Sequence, residues 1–592
     1  MEKTTYCQNL EFITLQNFVF PKSLDFGSKE KYYRSEGSVE FDGTALILPK
    51  DSAVKFDTFY NAFSIPLWQK RVKISDAELI ICGSGKVVIE LWEYNDKYIN
   101  TLIESKTFDL KKESQSIFYL NVADSSYTGL VFPKIKALTE VKINSLAWIT
   151  VEKPRQQVKL GISITHFNRK NYVLPAMKRI RDNFLNDTEW QDKIDFVVVD
   201  NSKNITAEEA MGVKIIPNEN TGGSGGFMRG LLHYKNETDV THVLFMDDDA
   251  SLEVESIRRA YRILQFTNDS KTAVGASLFY EDKPDILIER GAVLDPGPVW
   301  MAKYRDSWGI NQETILHEEL EDTSNDYGGW WFFAFPVKEA KHLTPPYFVR
   351  GDDVSFSSLN DFHVVFANGI SCMAENFQYK FAPMTEYLDM RNKLIVSTIF
   401  LNSKKSAINY YKWLAQNQLL AGRYGYVEVL KLALNDYLNL TSEWMEKNIN
   451  MADKISEINS FAKDNIQREL DLSQIPVELN TKMGEHRFIT LFKMFFMPLR
   501  TDKVVIQRAE ILPIFQQMTG YKKVLTYNPE TNKGFIVEIS KKKLFSGIFS
   551  IWRDCWRIRR NYGEVRKRLL DNLDYLTSEE MWNEILFPEK EK

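Results

Sequence analysis

His242-Val243-Leu244-Phe245-Met246-Asp247-Asp248-Asp249 is the stretch on which the fold turns. A mostly apolar run of strand character ends in three consecutive carboxylates. In an open α/β sheet, ligands bind at the carboxyl ends of the strands. Three adjacent negative charges repel one another unless a positive charge sits among them. Carboxylates are hard oxygen ligands suited to Mg²⁺ or Mn²⁺, and an ion held there would neutralise a diphosphate leaving group. An isolated Asp-Asp-Asp is more simply a solvated acidic turn, so the flanking sequence has to decide.

Outward from this run, strands alternate with helices from Val158 onward. Leu160-Gly161-Ile162-Ser163-Ile164 is a buried type of strand, and residues 172–186 have helical spacing. Phe196-Val197-Val198-Val199 follows, with Asp200-Asn201-Ser202 as its turn, then Val213-Lys214-Ile215-Ile216. The alternation predicts a doubly wound, Rossmann-like layout. Residues 1–152 carry shorter strand-like runs, such as Lys86-Val87-Val88-Ile89-Glu90-Leu91-Trp92. Turn formers such as Asp42-Gly43 and Gly83-Ser84-Gly85 separate such runs, which suggests a β-sandwich. From about Tyr387 helical spacing dominates, notably over residues 419–440 and 564–586. The expected architecture is a multidomain α/β chain. A β-sandwich spans 1–152, a Rossmann-like domain 153–395 and a helical domain 396–592.

A chain of 592 residues exceeds one hydrophobic core, in keeping with this division. The net charge of −5 argues against a general nucleic-acid binder. Cys7, Cys82, Cys372 and Cys555 are scattered without a CxxC pair, which fits a reducing cytosol. Residues 1–10 lack the basic start and apolar core of a signal peptide. No apolar run reaches the roughly 18 residues that a membrane span needs.

Several segments carry chemistry. Asp200 ends a valine-rich strand at the same sheet edge as the acid run, where a carboxylate can accept a uracil imide N–H; a turn-forming role is the alternative. Arg169 follows the strand at 160–164, and its fork of donors suits a phosphate or base carbonyl. Asn220-Thr221-Gly222-Gly223-Ser224-Gly225-Gly226-Phe227-Met228-Arg229-Gly230 is a glycine-rich entry into a helix, favourable for close approach of an anion. It is neither a Walker loop nor a dinucleotide fingerprint. Trp330 and Trp331 follow Gly328-Gly329, and either indole serves as a sugar platform or as core. Gly351-Asp352-Asp353 supplies a second acidic pair, able to take a proton from a hydroxyl. An N-cap role is the alternative for one of them.

Taken in order, these segments, with Thr165-His166-Phe167-Asn168-Arg169 at the front and Asp389-Met390-Arg391-Asn392 at the back, resemble the inverting GT-A glycosyltransferases of family two. Within that family the likeness is to bacterial galactofuranosyltransferases, which extend galactan-type polymers from UDP-galactofuranose. Residues 56–63 with Trp68 look like that group's N-terminal β-sandwich, and Asn561-Tyr562 with Leu576-Thr577-Ser578 like its helical tail. The resemblance implies a GT-A catalytic domain over 153–395. It implies that Arg169 and Asp200 hold the uridine, while Asn220, Gly222, Gly223 and Arg229 line the donor site. Asp247 and Asp248 would contact the nucleotide sugar, with Asp247 and Asp249 holding Mn²⁺ or Mg²⁺. Glu289 would contact donor or acceptor, Trp330 and Trp331 would shape the acceptor site, Asp352 would bind acceptor hydroxyls and Asp353 would be the base.

One position departs from the family. A histidine usually completes the metal site, and the alignment puts Ala374 there, with Glu375 beside it and His363 in a nearby strand-like run. Residues 541–560 are basic and aromatic apart from Asp554, which suggests peripheral contact with the inner face of the cell membrane, where lipid-linked glycan acceptors are made. A homo-oligomer is compatible with the resemblance. Two alternatives stand beside the galactofuranosyltransferase reading: a transferase using another nucleotide sugar, such as a rhamnosyl donor, and a non-catalytic glycan-binding subunit, for which Ala374 is the main support.

Overall fold

The computed structural model describes residues 12–321, 325–377, 381–447, 449, 451–480, 487–509, 515–529 and 531–588. Cys7 and the first ten residues lie outside them. The first 150 or so residues form two sheets that share one 19-residue strand, Asp76–Tyr94. Its first half pairs with Val141–Thr150 and Gln115–Asn121, its second with Leu130–Ala137 and Asn100–Leu110. The handover falls at Gly83-Ser84-Gly85, where composition predicts a turn. Here the glycines admit a neighbouring backbone: a Cβ on Gly83 would lie 2.3 Å from the Lys142 carbonyl oxygen, and Gly85 has φ +105°.

The central sheet runs in the order Lys214–Pro217, Ile194–Asp200, Leu160–His166, His242–Asp247, Phe333–Pro336, Thr272–Tyr280, Leu287–Glu289, with His363–Ala374 also pairing Thr272–Tyr280. Its first four strands are parallel, as their unbroken apolar runs predict. Phe333–Pro336 runs antiparallel to both its neighbours. One sheet face, with Ile162, Ile164, Val198 and Met246, belongs to the core shared with the N-terminal sheets. The other, with Val197, Val199 and Phe245, packs against Phe227, Met228 and Leu231 of the helix Gly222–Glu237.

The N-terminal sheets are tied to the central domain by specific polar contacts. Asn17 donates its backbone and side-chain N–H to Glu255 at 2.7 and 3.1 Å, and Tyr60 Oη lies 3.0 Å from Ser371 Oγ. Tyr60 thus places the quoted 56–63 segment at the seam, against the strand that ends at Ala374.

The C-terminal region is mostly helical, and it departs from expectation in more than one place. Residues 468–538 contain a five-stranded sheet, in which Arg500–Arg508, Tyr521–Asn528 and Lys533–Glu538 form the centre. Val504-Val505-Ile506 and Phe535-Ile536-Val537 are β-branched or aromatic runs that suit a pleated, half-buried surface better than a helix. The helical spacing at 419–440 is also split. Lys404–Leu420 ends and Tyr424–Leu438 begins around Gly422, whose φ is +71°. No described helix is long and apolar enough to cross a membrane.

Candidate active site

Strand register assembles the first acidic group. Thr165 lies beside Asp247 and His166 beside Asp200, so three loops open at one edge. Asp248 turns back into the protein: its Oδ2 is 3.1 Å from His166 Nδ1 and accepts the Phe167 N–H at 3.3 Å. His166 is fully buried, with Nε2 3.2 Å from Asn204 Oδ1, so it props the middle aspartate. Arg169 donates through Nη1 to Asp249 and lies 3.7 Å from Asp248. Burial works to lower the pKa of this guanidinium, but the charges of Asp249, Asp248 and Asp247 outweigh it and raise the value. The positive charge that three adjacent carboxylates demand is thus supplied in part by the protein itself.

Ala374 does lie beside this group. Backbone hydrogen bonds join Ser251 and Met373 in both directions, at 3.2 and 2.7 Å, and Ala374 pairs Tyr280 in the sheet. Its methyl offers nothing to an ion. His363 is exposed and paired with Asp269, so it serves the surface. Among the described residues no three His, Cys, Asp or Glu side chains converge as a metal cage. Mg²⁺-type ions are commonly held by one or two carboxylates plus phosphate oxygens and water. Asp247 and Asp249 fit an ion completed in that way, not one enclosed by protein.

Asp200 is committed to its own turn. Oδ1 accepts from Ser202 N and Oγ, both at 2.9 Å, and Oδ2 from Asn204 N at 2.8 Å and Ile205 N at 2.9 Å. Burial would raise its pKa, but these four bonds hold it below the usual carboxylate value. Asn220 Oδ1 accepts the Gly222 N–H at 3.2 Å, and Asn201 Nδ2 donates to the Gly222 carbonyl at 3.0 Å. Gly222 has φ +72°, and a Cβ there would lie 2.2 Å from the Phe348 carbonyl oxygen. The glycine loop is therefore pressed against the turn before the second acidic pair, with Gly223 facing Val349 and Asp352. Arg229 is elsewhere. Its guanidinium stacks 4.3 Å from the Phe587 ring, on the C-terminal tail.

The second acidic group contains more than the sequence pair. Asp352 is buried and accepts from Ser224 Oγ at 2.8 Å; Asp353, the next residue of the helix Asp352–Asn360, is half-buried. Burial raises the Asp352 pKa against the pull of that hydrogen bond. It raises that of Asp353 further, because the Asp352 and Glu289 charges add to burial while the Val354 N–H and Arg350 oppose them. Glu289 is buried and pushed up to about 7, with Arg305 the opposing cation. Tyr327 is buried where it feels both Glu289 and Asp353. The two acidic groups are linked through one buried thiol, since Cys372 is raised by burial and then by the charges of Asp247, Asp249 and Glu289.

The turn feeding Asp352 is strained and held. Phe348, Arg350 and Gly351 have φ of 77°, 74° and 81°, a region costly for residues with a Cβ. Asn392 Nδ2 donates to the Val349 and Arg350 carbonyls at 2.9 Å each, and Arg391 Nη2 to Tyr347 O at 2.6 Å. The Asp389-Met390-Arg391-Asn392 motif thus acts as a clamp. Thr344 Oγ1 donates to Asp352 O at 3.0 Å, and Trp582 Nε1 to Thr344 O at 2.7 Å.

Of the two tryptophans predicted for the acceptor, Trp330 is core. It is 4% exposed and meets Phe227, Phe245 and Phe356 edge-on. Trp331 is half-buried, 6.2 Å from the Phe377 ring. Sequence reasoning missed Trp300. This half-buried indole sits on a hairpin strand, Val299–Ala302, beside Gly351 and under the Lys393 ammonium at 4.5 Å. Its only signal was an aromatic two residues after the Gly297-Pro298 turn. Tyr327, Arg305 and Arg350 gave none.

Residues 162–334 match the family model Glycosyl transferase family 2, a span that holds the first acidic group and Glu289. The chain is 22% identical over 393 residues to galactofuranosyltransferase GlfT2 of Mycobacterium tuberculosis, covering 62% of this chain and 61% of that protein. Against GlfT2 of Mycolicibacterium smegmatis it is 23% identical over 432 residues, 67% and 65% of the two chains. It thus spans less than two thirds of either relative's length. A mannosyltransferase of Pyrobaculum calidifontis, solved with GDP-Man and Mn²⁺, aligns at 13% identity over 52% of this chain and 84% of its own, with a TM-score of 0.30.

Proposed function

We propose that this chain, which carries a family 2 glycosyltransferase domain and is similar to galactofuranosyltransferases, moves galactofuranose from UDP-galactofuranose to a hydroxyl of a growing cell-surface glycan. The observation that carries the reading is the presence of two acidic groups, one charge-compensated by Arg169 and one with raised pKa values, whose members Asp247, Asp249 and Glu289 all act on the buried Cys372 thiol.

The division of labour follows from the partners of each side chain. Asp247 and Asp249 would hold Mn²⁺ or Mg²⁺, which when bound supplies neutralisation of the departing diphosphate. Arg169, already at Asp249, directs donors to the same phosphates or to the base. Asp352 is anchored by Ser224 and orients acceptor hydroxyls. Asp353, with a raised pKa and less anchored, takes the acceptor proton as that oxygen attacks the anomeric carbon opposite UDP. One displacement inverts the anomeric centre. Trp300 and Trp331 offer ring faces to the acceptor sugar. The acceptor is a lipid-linked glycan, met by an enzyme associated peripherally with the membrane.

Release of UDP from UDP-galactofuranose with a galactan-type acceptor, in Mn²⁺ or EDTA, tests this. Acceptor-dependent, EDTA-sensitive release is expected. Release only from a different nucleotide sugar would replace the donor, and silence with every donor would favour a glycan-binding subunit.

A further inference from the structure

The five-stranded sheet over 468–538 meets the helical domain across a cleft of about 680 Å³. Ligand pockets commonly span about 300–1,000 Å³. One wall is the break between Lys404–Leu420 and Tyr424–Leu438, and a second is the turn Lys463–Asn465. The third is the end of the strand Lys533–Glu538 with the first turns of the helix Lys541–Asp571. None of the lining residues belongs to the two acidic groups of the candidate active site.

Specific bonds hold these walls. Tyr424 Oη accepts the Ser540 N–H at 2.8 Å and donates to Ser540 O at 3.3 Å, which ties the strand-to-helix junction to the helix opposite. Gly425 lets the turn at Asn465 come close, since a Cβ there would lie 2.5 Å from Asn465 Oδ1. Asn465 is 3% exposed, and its Oδ1 accepts the Gly425 N–H at 3.1 Å. Its Nδ2 donates to no described residue. A buried amide donor normally has a partner, so this one lines the cleft with a hydrogen bond still to give.

The lining chemistry selects the occupant. Glu428, Asp464 and Glu538 stand against Lys431 and Lys543, so an anion would meet more carboxylates than ammonium groups. An acyl chain would cover Asn465 Nδ2 and the charged rim without giving any of them a partner. A neutral polyhydroxyl ring satisfies both demands. Its hydroxyls donate to carboxylates already held by cations, as Glu428 is by Lys431 at 2.6 Å, and its oxygens accept from Asn465. Phe461, 44% exposed at the same cleft, offers a ring face to the C–H side of a sugar.

We propose that this cleft is a second, non-catalytic site for a neutral saccharide, with Asn465 as donor, Asp464, Glu428 and Glu538 as acceptors and Phe461 as platform. The inference rests on the transferase reading only for the identity of the sugar, a segment of the growing glycan away from its reacting end. Hydrogen exchange of the full chain tests it, without nucleotide sugar, in the presence of neutral galactan-, mannan- or glucan-type oligosaccharides or of inorganic pyrophosphate. At least one neutral oligosaccharide is expected to protect residues 461–465 and 534–547. In Phe461→Ser the concentration needed should rise about three- to tenfold, with the wild-type melting temperature kept because the ring is half exposed. Asn465→Asp, which keeps the acceptor for Gly425 N–H and removes the free donor, should weaken protection as well. No protection there by any neutral oligosaccharide overturns the proposal, as does equal protection in the folded Phe461→Ser variant. Protection by pyrophosphate alone would make the cleft an anion site and overturns it too. Failure of the transferase reading shows separately, as absence of UDP release, and leaves the exchange result standing.

Discussion

Asp352 and Asp353 are neighbours in sequence but differ in their partners. Ser224 fixes the first, while the second combines burial with the fields of Asp352 and Glu289. The same environment sets a pH dependence at Glu289. Its pKa is raised from the ordinary glutamate value to about 7 by burial. A folded-state value above the unfolded one means that the stability contribution is complete below the unfolded pKa and is lost as pH rises through about 7. Glu289→Gln removes the ionisation, so the variant should gain on the wild type in stability between pH 5 and pH 8, by about 3 kcal/mol at most, read as a relative rise in melting temperature. Parallel thermal melts at the two pH values decide it. An unchanged difference would mean that Glu289 is solvated. What the sequence revealed here depended on reach. Asp247 to Asp249 and Asp352-Asp353 were legible because strand and helix starts set where they point. Asp200 was legible as an acid at the right edge, but its four bonds come from residues two to five further on, a turn chemistry that competes with any ligand role. Trp330 and Trp300 could not be sorted by sequence, since which indole is core depends on packing across three elements.

At the scale of the element, the turn at 347–351 stores strain that the helix Pro383–Val396 holds in place. Two of the left-handed residues carry side chains, at a cost of about 1–3 kcal/mol each. Asn392→Ala removes both donors to the Val349 and Arg350 carbonyls. The expected stability loss is about 1–3 kcal/mol. The expected loss of transfer rate is larger, about 100-fold, because a displacement near 1 Å at Asp353 is enough for that. Denaturation and steady-state rates on the same sample check it; losses confined to stability would make the clamp incidental to the site. Elements were read well where period was unambiguous, as in the parallel strands, and poorly where glycine had two meanings. At Gly83 and Gly85 it admits a neighbouring backbone within one strand, and at Gly422 it ends a helix. The five-stranded sheet at 468–538 escaped notice because its strands lie between amphipathic helices.

At the scale of the molecule, the chain's far end braces the acidic pair. The helix Glu579–Leu586 sends Trp582 Nε1 to Thr344 O, and Thr344 in turn bonds Asp352 O. Leu343 N also donates to Thr577 O at 2.8 Å. Trp582→Phe preserves most of the packing but leaves the Thr344 carbonyl without this donor, a change worth about 1–3 kcal/mol. Transfer should fall at temperatures where the variant is still fully folded, and a rate equal to wild type there would limit the tail to a structural role. Such a link between residues more than 200 apart is absent from any local pattern, and the start of this helix, capped by Ser578 through the Met581 N–H, falls inside the single helical stretch expected over 564–586.

The base at Asp353 is the claim on which the functional reading depends. The most direct measurement compares wild type with Asp353→Asn for transfer from UDP-galactofuranose to a galactan-type acceptor, with UDP binding measured on both proteins. The expected result is a turnover about 10²- to 10⁴-fold lower with UDP affinity unchanged. An Asp353→Asn enzyme that transfers at the wild-type rate would contradict it and move the proton to another group, Glu289 first.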